Sequence, residues 1–76
     1  MALVRNFEKL DGERTSLHVE VPAKYYAFEK DGVGFVQINT YGRPDREFPD
    51  KVSQSIQLDR TGAEALVQIL TRAFRL

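Results

Sequence analysis

The first clear alternation of apolar and polar residues along the chain starts at Thr15. Leu17, Val19 and Val21 alternate there with polar side chains. A period of two over six residues predicts a half-buried strand, because successive side chains of a strand point to opposite faces. Pro22 ends this strand, since proline cannot donate a hydrogen bond within a central ladder.

Two more strands are predicted on either side of a tight turn. Residues 24–30 are rich in aromatic, strand-favouring side chains, and residues 33–41 again alternate apolar with polar positions. Asp31 and Gly32 between them suit a two-residue hairpin turn, whose central positions both take positive φ. The sequence therefore predicts an antiparallel hairpin at this place.

The C-terminal third of the chain predicts a last strand followed by a helix. Residues 52–58 form the strand, and Asp59 is placed to cap the helix by accepting from the free amides of its first turn. A capping box of Thr61 with Glu64 is the alternative start. An apolar stripe at spacings of three and four marks the helix. Its members are Ala63, Leu66, Val67, Ile69, Leu70, Ala73 and Phe74.

Together these elements predict an α+β fold, an antiparallel sheet of four to five strands with one C-terminal helix. The 76 residues are too few for two independent cores. Residues 15–76 are expected to form the single domain, and residues 1–14 an N-terminal arm or an edge strand. The helix stripe either lies fully against its own sheet or is partly buried by a second copy. We expect a homodimer through the helix, because the core is small and two-fold self-contact is the commonest assembly.

Uncharged polar side chains occupy many positions of the predicted sheet. They are Gln37, Asn39, Thr40, Ser53, Gln54, Ser55 and Gln57. On residues 33–41, Val36 and Ile38 share one face, whereas Phe35 and Tyr41 share the other with polar neighbours. Amides and hydroxyls beside aromatic rings suit contact with unpaired bases, because bases stack on rings and hydrogen-bond to amides. The alternative is that the two rings pack under the N-terminal segment or a partner chain, with the amides facing water.

Composition narrows the class of function. Eleven basic and eleven acidic residues give zero net charge, which argues against a strong, purely electrostatic nucleic-acid binder. The chain has no cysteine, so it holds no disulfide or thiolate metal site. It has no apolar run of the roughly 20 residues that cross a bilayer. We therefore expect no membrane partner and a cytoplasmic location.

The sequence offers no convincing catalytic or metal-binding group. His18 is the one histidine, and a single imidazole without cysteines makes neither a zinc site nor a triad. The carboxylates show no spacing that fixes two of them across a cleft. We expect no catalytic residues, no metal, no cofactor and no enzymatic activity.

Three stretches of the chain resemble the PC4-like family, the single-stranded DNA-binding domains of a transcriptional coactivator and its small bacterial and phage relatives. They are the aromatic strand closing on Asp31-Gly32, the alternation of Val36, Ile38 and Tyr41, and the run Ser55-Ile56-Gln57-Leu58-Asp59 before the helix. The resemblance implies a transcription-related dimer that presents a sheet surface to single-stranded DNA or RNA. Neutral side chains stand at Asn39 and Gln54, where the family has cations, so the binding is expected to be weak.

The resemblance and the residue types together define a candidate nucleic-acid site. Its members are Phe35, Gln37, Asn39, Tyr41, Arg43, Arg46, Lys51, Ser53, Ser55 and Gln57. The cations in it belong to a loop whose charges alternate in sign, and such a loop is either a phosphate clamp or a solvated connection. The competing hypothesis for the whole protein is a protein-interaction module of the same fold that does not bind nucleic acid and recruits its partner by strand addition.

Overall fold

A computed structural model of the chain contains four strands and one helix. It describes residues 1–12, 15–42 and 50–76. The elements in chain order are β1 (Ala2–Val4), β2 (Ala23–Lys30), β3 (Val33–Tyr41), β4 (Val52–Leu58) and α1 (Arg60–Phe74). The strands form one sheet in the order β1-β4-β3-β2, and only the pairing of β1 with β4 is parallel. The predicted α+β class, a mostly antiparallel sheet with a C-terminal helix, is confirmed.

A two-residue turn joins β2 to β3. Asp31 has φ 54° and Gly32 has φ 77°, so both central positions take the positive φ that the tight turn requires. Lys30 therefore pairs with Val33, and the register continues without a break to the pairing of Ala23 with Thr40. The hairpin predicted from the sequence is confirmed.

The pairing of β3 with β4 is regular except at its outer end. Thr40 pairs with Gln54, but Tyr41 pairs with Val52, so Ser53 is an extra residue on β4. Such a bulge locally increases the twist of the strand that carries it. The sheet therefore changes shape beside Tyr41.

The strand predicted between Thr15 and Val21 is wrong. Residues 15–22 contain no strand, and Leu17 is fully exposed. The backbone N–H of Tyr41 donates to the carbonyl oxygen of Pro22 at 3.1 Å, just before β2 begins. Alternation shows only that a segment could bury one face, and it does not determine whether the segment pairs with a sheet edge; the outer edge of β2 stays unpaired within the described chain. The fourth strand is instead β1, which makes the start of the chain an edge strand.

The helix begins where the sequence predicts. The Asp59 side chain accepts from the backbone N–H of Gly62 at 2.9 Å, and the competing Thr61 start is not used. The guanidinium of Arg5 donates to the other Asp59 oxygen at 2.6 Å. Gly62 is buried against the backbone at the end of β1, because any side chain there would overlap the carbonyl oxygen of Val4. The N-terminal strand and the first turn of α1 are thus fastened to each other.

The single chain has almost no closed core. Leu58, 5 % exposed, is the one buried apolar side chain among the described residues. Most of the helix stripe, including Val67, Leu70 and Phe74, remains exposed beyond the first two turns. The helix does not lie fully against its own sheet.

The dimensions of the chain lead to the same conclusion. It exposes 7203 Å², whereas a folded monomer of 8.7 kDa exposes about 4,700 Å². Its radius of gyration is 14.7 Å, against about 11 Å for a compact domain of this length. Part of this excess belongs to residues 5–12 and 15–20, which are exposed throughout, and part to the open apolar surface of the sheet and the helix.

Because Gly62 lies so close to β1, we expect an alanine there to destabilise the protein, which is opposite to the usual effect of replacing glycine by alanine in a helix. Alanine favours a helix interior over glycine by about 1 kcal/mol, so helix propensity alone would make Gly62→Ala stabilising. We expect it instead to lower the free energy of unfolding by about 1–3 kcal/mol, because the new methyl group forces β1 and α1 apart. Urea unfolding at a fixed protein concentration measures the change. Gly34→Ala in β3 is the matched control, since nothing lies within 4 Å of the Cβ added there. A more stable Gly62→Ala variant would contradict the packing.

The Asp59 cap predicts a pH dependence of stability. The backbone N–H of Gly62, and then the guanidinium of Arg5, hold the pKa of the Asp59 carboxyl below its ordinary value of 3.8. The ionised carboxylate therefore stabilises the folded chain above pH 3.8, and this contribution is lost as the pH falls through the lower folded pKa.

Asp59→Asn keeps a capping side chain and removes the charge. We expect it to be less stable than the wild type at neutral pH and to approach the wild type below pH 3.8. Urea unfolding between pH 7 and pH 2 tests this, with Asp11→Asn, an exposed aspartate that does not cap the helix, as the control. A difference between wild type and Asp59→Asn that is independent of pH would contradict it.

Candidate nucleic-acid interface

The register of the three long strands divides the sheet into two chemically different faces. One face carries the apolar side chains of Val36, Ile38, Ile56 and Leu58, together with Tyr25. We call the opposite side the polar face. Its members are Lys24, Tyr26, Phe28, Lys30, Val33, Phe35, Gln37, Asn39, Tyr41, Ser55 and Gln57.

Aromatic rings cluster at the hairpin end of the polar face. Phe28 and Phe35 are direct cross-strand partners, and their rings stack with centroids 5.3 Å apart and planes 21° from parallel. The Tyr26 ring lies 5.7 Å from Phe28 on the same strand and is 49 % exposed. Cross-strand aromatic pairs stabilise a sheet and hold each other's ring orientation. This cluster therefore presents a fixed aromatic surface with Tyr26 as its open member.

A row of amides crosses the middle of the polar face. Gln57 Nε2 donates to Gln37 Oε1 at 2.8 Å, and Gln37 Nε2 donates to Asn39 Oδ1 at 2.9 Å. Ser55 lies beside them on β4 and is buried. A carboxamide has two N–H donors and two acceptor lone pairs, so each amide in the row can bond a ligand while it keeps its neighbour. The row fixes the direction in which donors and acceptors point.

A cation–π contact marks the other end of the polar face. Lys24 Nζ lies 5.2 Å from the centre of the Tyr41 ring. The contact places a positive charge beside a ring that is half-buried rather than sealed inside the protein. From Phe35 to Tyr41 the face extends for about 20 Å along β3.

The basic and acidic side chains of β2 lie on opposite faces of the sheet, although the net charge of the whole chain is zero. Lys24 and Lys30 occupy the alternate positions that belong to the polar face, and Glu29 occupies a position of the opposite face. Cations on β2 therefore accompany the aromatic rings. The zero net charge of the chain does not reveal this separation of the lysines from Glu29.

The structure brings together six of the ten candidate residues. They are Phe35, Gln37, Asn39, Tyr41, Ser55 and Gln57. Ser53 is exposed at the bulge, and Lys51 is exposed just before β4. Arg43 and Arg46 lie outside the described residues.

Two of the polar side chains lie on the other face of the sheet. Thr40 and Gln54 are cross-strand partners there, and Thr40 Oγ1 donates to the Gln54 carbonyl oxygen at 3.5 Å. The seven uncharged polar side chains of the sheet therefore do not share one face. The reason is that Thr40 and Gln54 each adjoin polar-face residues along their strands, and adjacent residues point to opposite faces.

The candidate set omitted four polar-face residues of β2, namely Lys24, Tyr26, Phe28 and Lys30. The sequence contained the signal that would have found them. A two-residue turn at Asp31 and Gly32 fixes Lys30 opposite Val33, and counting back from there places Phe28 opposite Phe35 and Tyr26 opposite Gln37. The register of a hairpin follows from its turn.

Comparison with known proteins leaves the resemblance to the PC4-like family as a prediction. No protein-family model, no curated protein and no solved structure matches the chain. Over the described ranges, no three His, Asp or Glu side chains are grouped in a way that could hold a metal ion. The described part of the chain also has no helix long and apolar enough to cross a membrane.

Proposed function

We propose that the protein is a non-enzymatic, homodimeric module that binds single-stranded DNA or RNA on its polar face, in the manner of the PC4-like family. The observation that carries the proposal is the shared placement of aromatic rings, an amide row and lysines on one face of the sheet. Water alone does not require this combination, because solvated sheet faces need neither stacked rings nor linked amides. A transcription-related role follows from the same resemblance, and the cytoplasmic location expected from the composition is part of the proposal.

Each part of the polar face has a separate task in this mechanism. Bases stack on Tyr26 and on the open edge of the Phe28–Phe35 pair, where each stacked base contributes about 1–3 kcal/mol. The amides of Gln37 and Gln57 hydrogen-bond to base edges or phosphates. Lysines pair with the phosphate backbone, as would the loop cations Arg43, Arg46 and Lys51. The available cations are few, so we expect micromolar or weaker affinity that falls as salt rises.

The homodimer is supported by the surface that the single chain leaves open. Val67, Ile69, Leu70 and Phe74 of the helix stripe are all exposed, and the interface of a stable dimer needs about 800 Å² from each partner. The exposed stripe of α1 is the natural contact, because it is apolar over several turns.

Adjacent tyrosines provide a matched test of the polar face. Tyr26 lies on the polar face, whereas Tyr25 lies on the opposite face and is 77 % exposed. We expect Tyr26→Ala to weaken binding of a mixed-sequence 20-mer by about five- to 100-fold, from the loss of one stacked base. Tyr25→Ala should bind within about twofold of the wild type. Fluorescence anisotropy at low salt measures both, at protein concentrations where sedimentation shows the same assembly state.

Two results would count against this proposal. Equal affinity of the two tyrosine variants would show that the polar face is not the contact. No binding by the wild type at high protein concentration would reject nucleic-acid binding as the function.

One observation favours the alternative function, a protein-interaction module. β2 lies at the edge of the sheet, so the outer backbone groups of eight consecutive residues are not used by another strand of the described chain. An extended peptide could pair with this edge by strand addition. The neutral net charge fits this function as well as the first.

Alanine at Arg43, Arg46 and Lys51 together separates the two functions. If nucleic acid is the ligand, the triple variant should lose affinity and show a shallower dependence on salt, by about 0.7 in the log–log slope for each lost phosphate contact on a single strand. Anisotropy titrations at several salt concentrations measure the slope. An unchanged affinity and slope would favour the protein-interaction module.

A further inference from the structure

The segment just before β2, residues 15–21, has the residue pattern of a strand but no strand to pair with in its own chain. Leu17, Val19 and Val21 alternate with polar residues, and Leu17 is fully exposed while Val19 is 63 % exposed. The segment lies at the end of the sheet, where Val19 and Val21 line a shallow cavity with Thr40. It therefore carries apolar side chains that the single chain leaves largely uncovered.

The outer edge of β2 is open in the same chain. β2 is the last strand of the sheet, and its outer edge is unpaired among the described residues. The Pro22 carbonyl oxygen accepts from the Tyr41 N–H, so the backbone groups of Pro22 face β3. Backbone groups of successive residues in a strand alternate between its two edges. Those that face the open edge therefore belong to Ala23, Tyr25, Ala27 and Glu29.

The segment is unable to turn back onto the edge of its own β2. A tight reversal would put Val21 and Pro22 at the centre of a two-residue turn, and such turns need positive φ at the first of these positions or at both. Val21 is β-branched and disfavours positive φ, and the ring of Pro22 fixes its φ near about −65°. A longer loop would use up the apolar residues that the pairing would bury. A strand for this edge therefore has to come from another chain.

We propose that residues 15–21 of each chain pair antiparallel with the outer edge of β2 in a second copy, reciprocally across a two-fold axis at Pro22. Outward-facing residues then pair with one another, Val19 with Tyr25 and Leu17 with Ala27 of the second copy. Pro22 has no N–H, but its position faces β3, so it removes no hydrogen bond from the new ladder. The two four-stranded sheets become one continuous sheet.

Side-chain chemistry selects this register. It places Glu20 opposite Lys24 of the second copy on the polar face, and opposite charges on directly paired residues stabilise a sheet. On the other face it covers Tyr25, which is 77 % exposed, with the uncovered side chain of Val19. The apolar side chains of the segment thus meet the apolar side chains of the edge, and its carboxylate meets a lysine.

Other registers lose these contacts. A shift of one residue would set outward backbone groups against groups that face β3. A shift of two residues separates Glu20 from Lys24, and in one direction it also sets Leu17 against Glu29. Charged side chains on an edge strand discourage indiscriminate pairing. A segment that brings Glu20 to Lys24 is therefore favoured over an unrelated strand.

This contact is separate from the contact through α1, and it does not depend on nucleic-acid binding. Where both contacts form, two dimers associate into a tetramer. The two-fold axis at Pro22 is perpendicular to the sheet, so the polar faces of the two copies lie on the same side. Under the proposed function, the oligonucleotide then meets one continuous surface to which both copies contribute.

A single engineered cysteine tests the register, because the chain has none of its own. The two copies of residue 22 form a non-hydrogen-bonded pair on the axis, with Cα atoms about 4.5 Å apart, a separation that suits a disulfide. Pro22→Cys should therefore cross-link efficiently on mild oxidation. Ala27→Cys is the matched control on the same edge, since its two copies lie about 33 Å apart. No cross-link of Pro22→Cys, or equal cross-linking of the two variants, would overturn the proposal.

Proline substitutions at neighbouring positions test the hydrogen-bond ladder. The N–H of Val19 faces the partner strand in the proposed pair, so Val19→Pro should raise the dissociation constant of this contact by about tenfold or more. The N–H of His18 faces the other way, so His18→Pro should change it by less than about threefold. Sedimentation equilibrium measures both, with circular dichroism as a check on folding. Association of Val19→Pro as tight as that of the wild type, or equal weakening by both variants, would contradict the ladder.

The outcomes separate this inference from the proposed function. Loss of a two-fold contact halves the molecular mass, whether or not α1 also associates. If Pro22→Cys does not cross-link but the wild type binds the oligonucleotide, only the inference fails. If Pro22→Cys cross-links and Val19→Pro dissociates, the inference stands even where the wild type binds no oligonucleotide.

Discussion

The two-residue turn at Asp31 and Gly32 is the constraint on which the rest of the structure depends. It fixes the register of β2 against β3, and side chains on a strand alternate strictly between faces. A slip of one residue would move the aromatic rings of β2 to the helix side and bring Tyr25 and Glu29 to the amide row. The chemistry of the polar face is therefore decided by a turn that contributes no side chain to it.

A second constraint is the shortage of core in one chain. Leu58 alone is buried among the apolar side chains of the described residues, while α1 keeps its stripe open. Hydrophobic burial is the main favourable contribution to folding, so a sheet covered by only two turns of helix is expected to be marginally stable by itself. The hydrogen bond of Arg5 to Asp59 and the close packing of Gly62 hold the N-terminal segment against the first turn of α1, and they fix the direction of the helix relative to the sheet. It thereby determines which apolar surface remains for a partner.

Local signals in the sequence predicted much of the fold. The hairpin turn and the Asp59 cap are each specified by a few neighbouring residues with known conformational preferences, and both occur as expected. The strand predicted at Leu17, Val19 and Val21 does not form, because alternation of apolar and polar residues does not specify a partner strand, and these residues pair with none in the described chain. The short strand β1 was offered only as one of two alternatives, since three residues pairing in parallel with a distant strand leave no periodic pattern.

The candidate site was predictable to the extent that it follows β3 and β4. Gln37, Asn39 and Gln57 lie together because they occupy alternate positions on paired strands. The β2 residues were missed because the hairpin register was not carried through to its partner strand. The hydrogen bonds between the amides and the stacking of Phe28 on Phe35 depend on distances between strands, and those distances follow only from the folded sheet.

The most direct test of the central claim is an NMR titration that follows the side-chain amide signals during addition of a single-stranded 20-mer. The polar face contributes the signals of Gln37, Asn39 and Gln57, while Gln54 on the opposite face and Gln68 on the helix serve as internal references. The account predicts that the first three shift or broaden with the oligonucleotide and that the two references do not. Unchanged polar-face amides at saturating oligonucleotide, or shifts confined to Gln54 and Gln68, would contradict it.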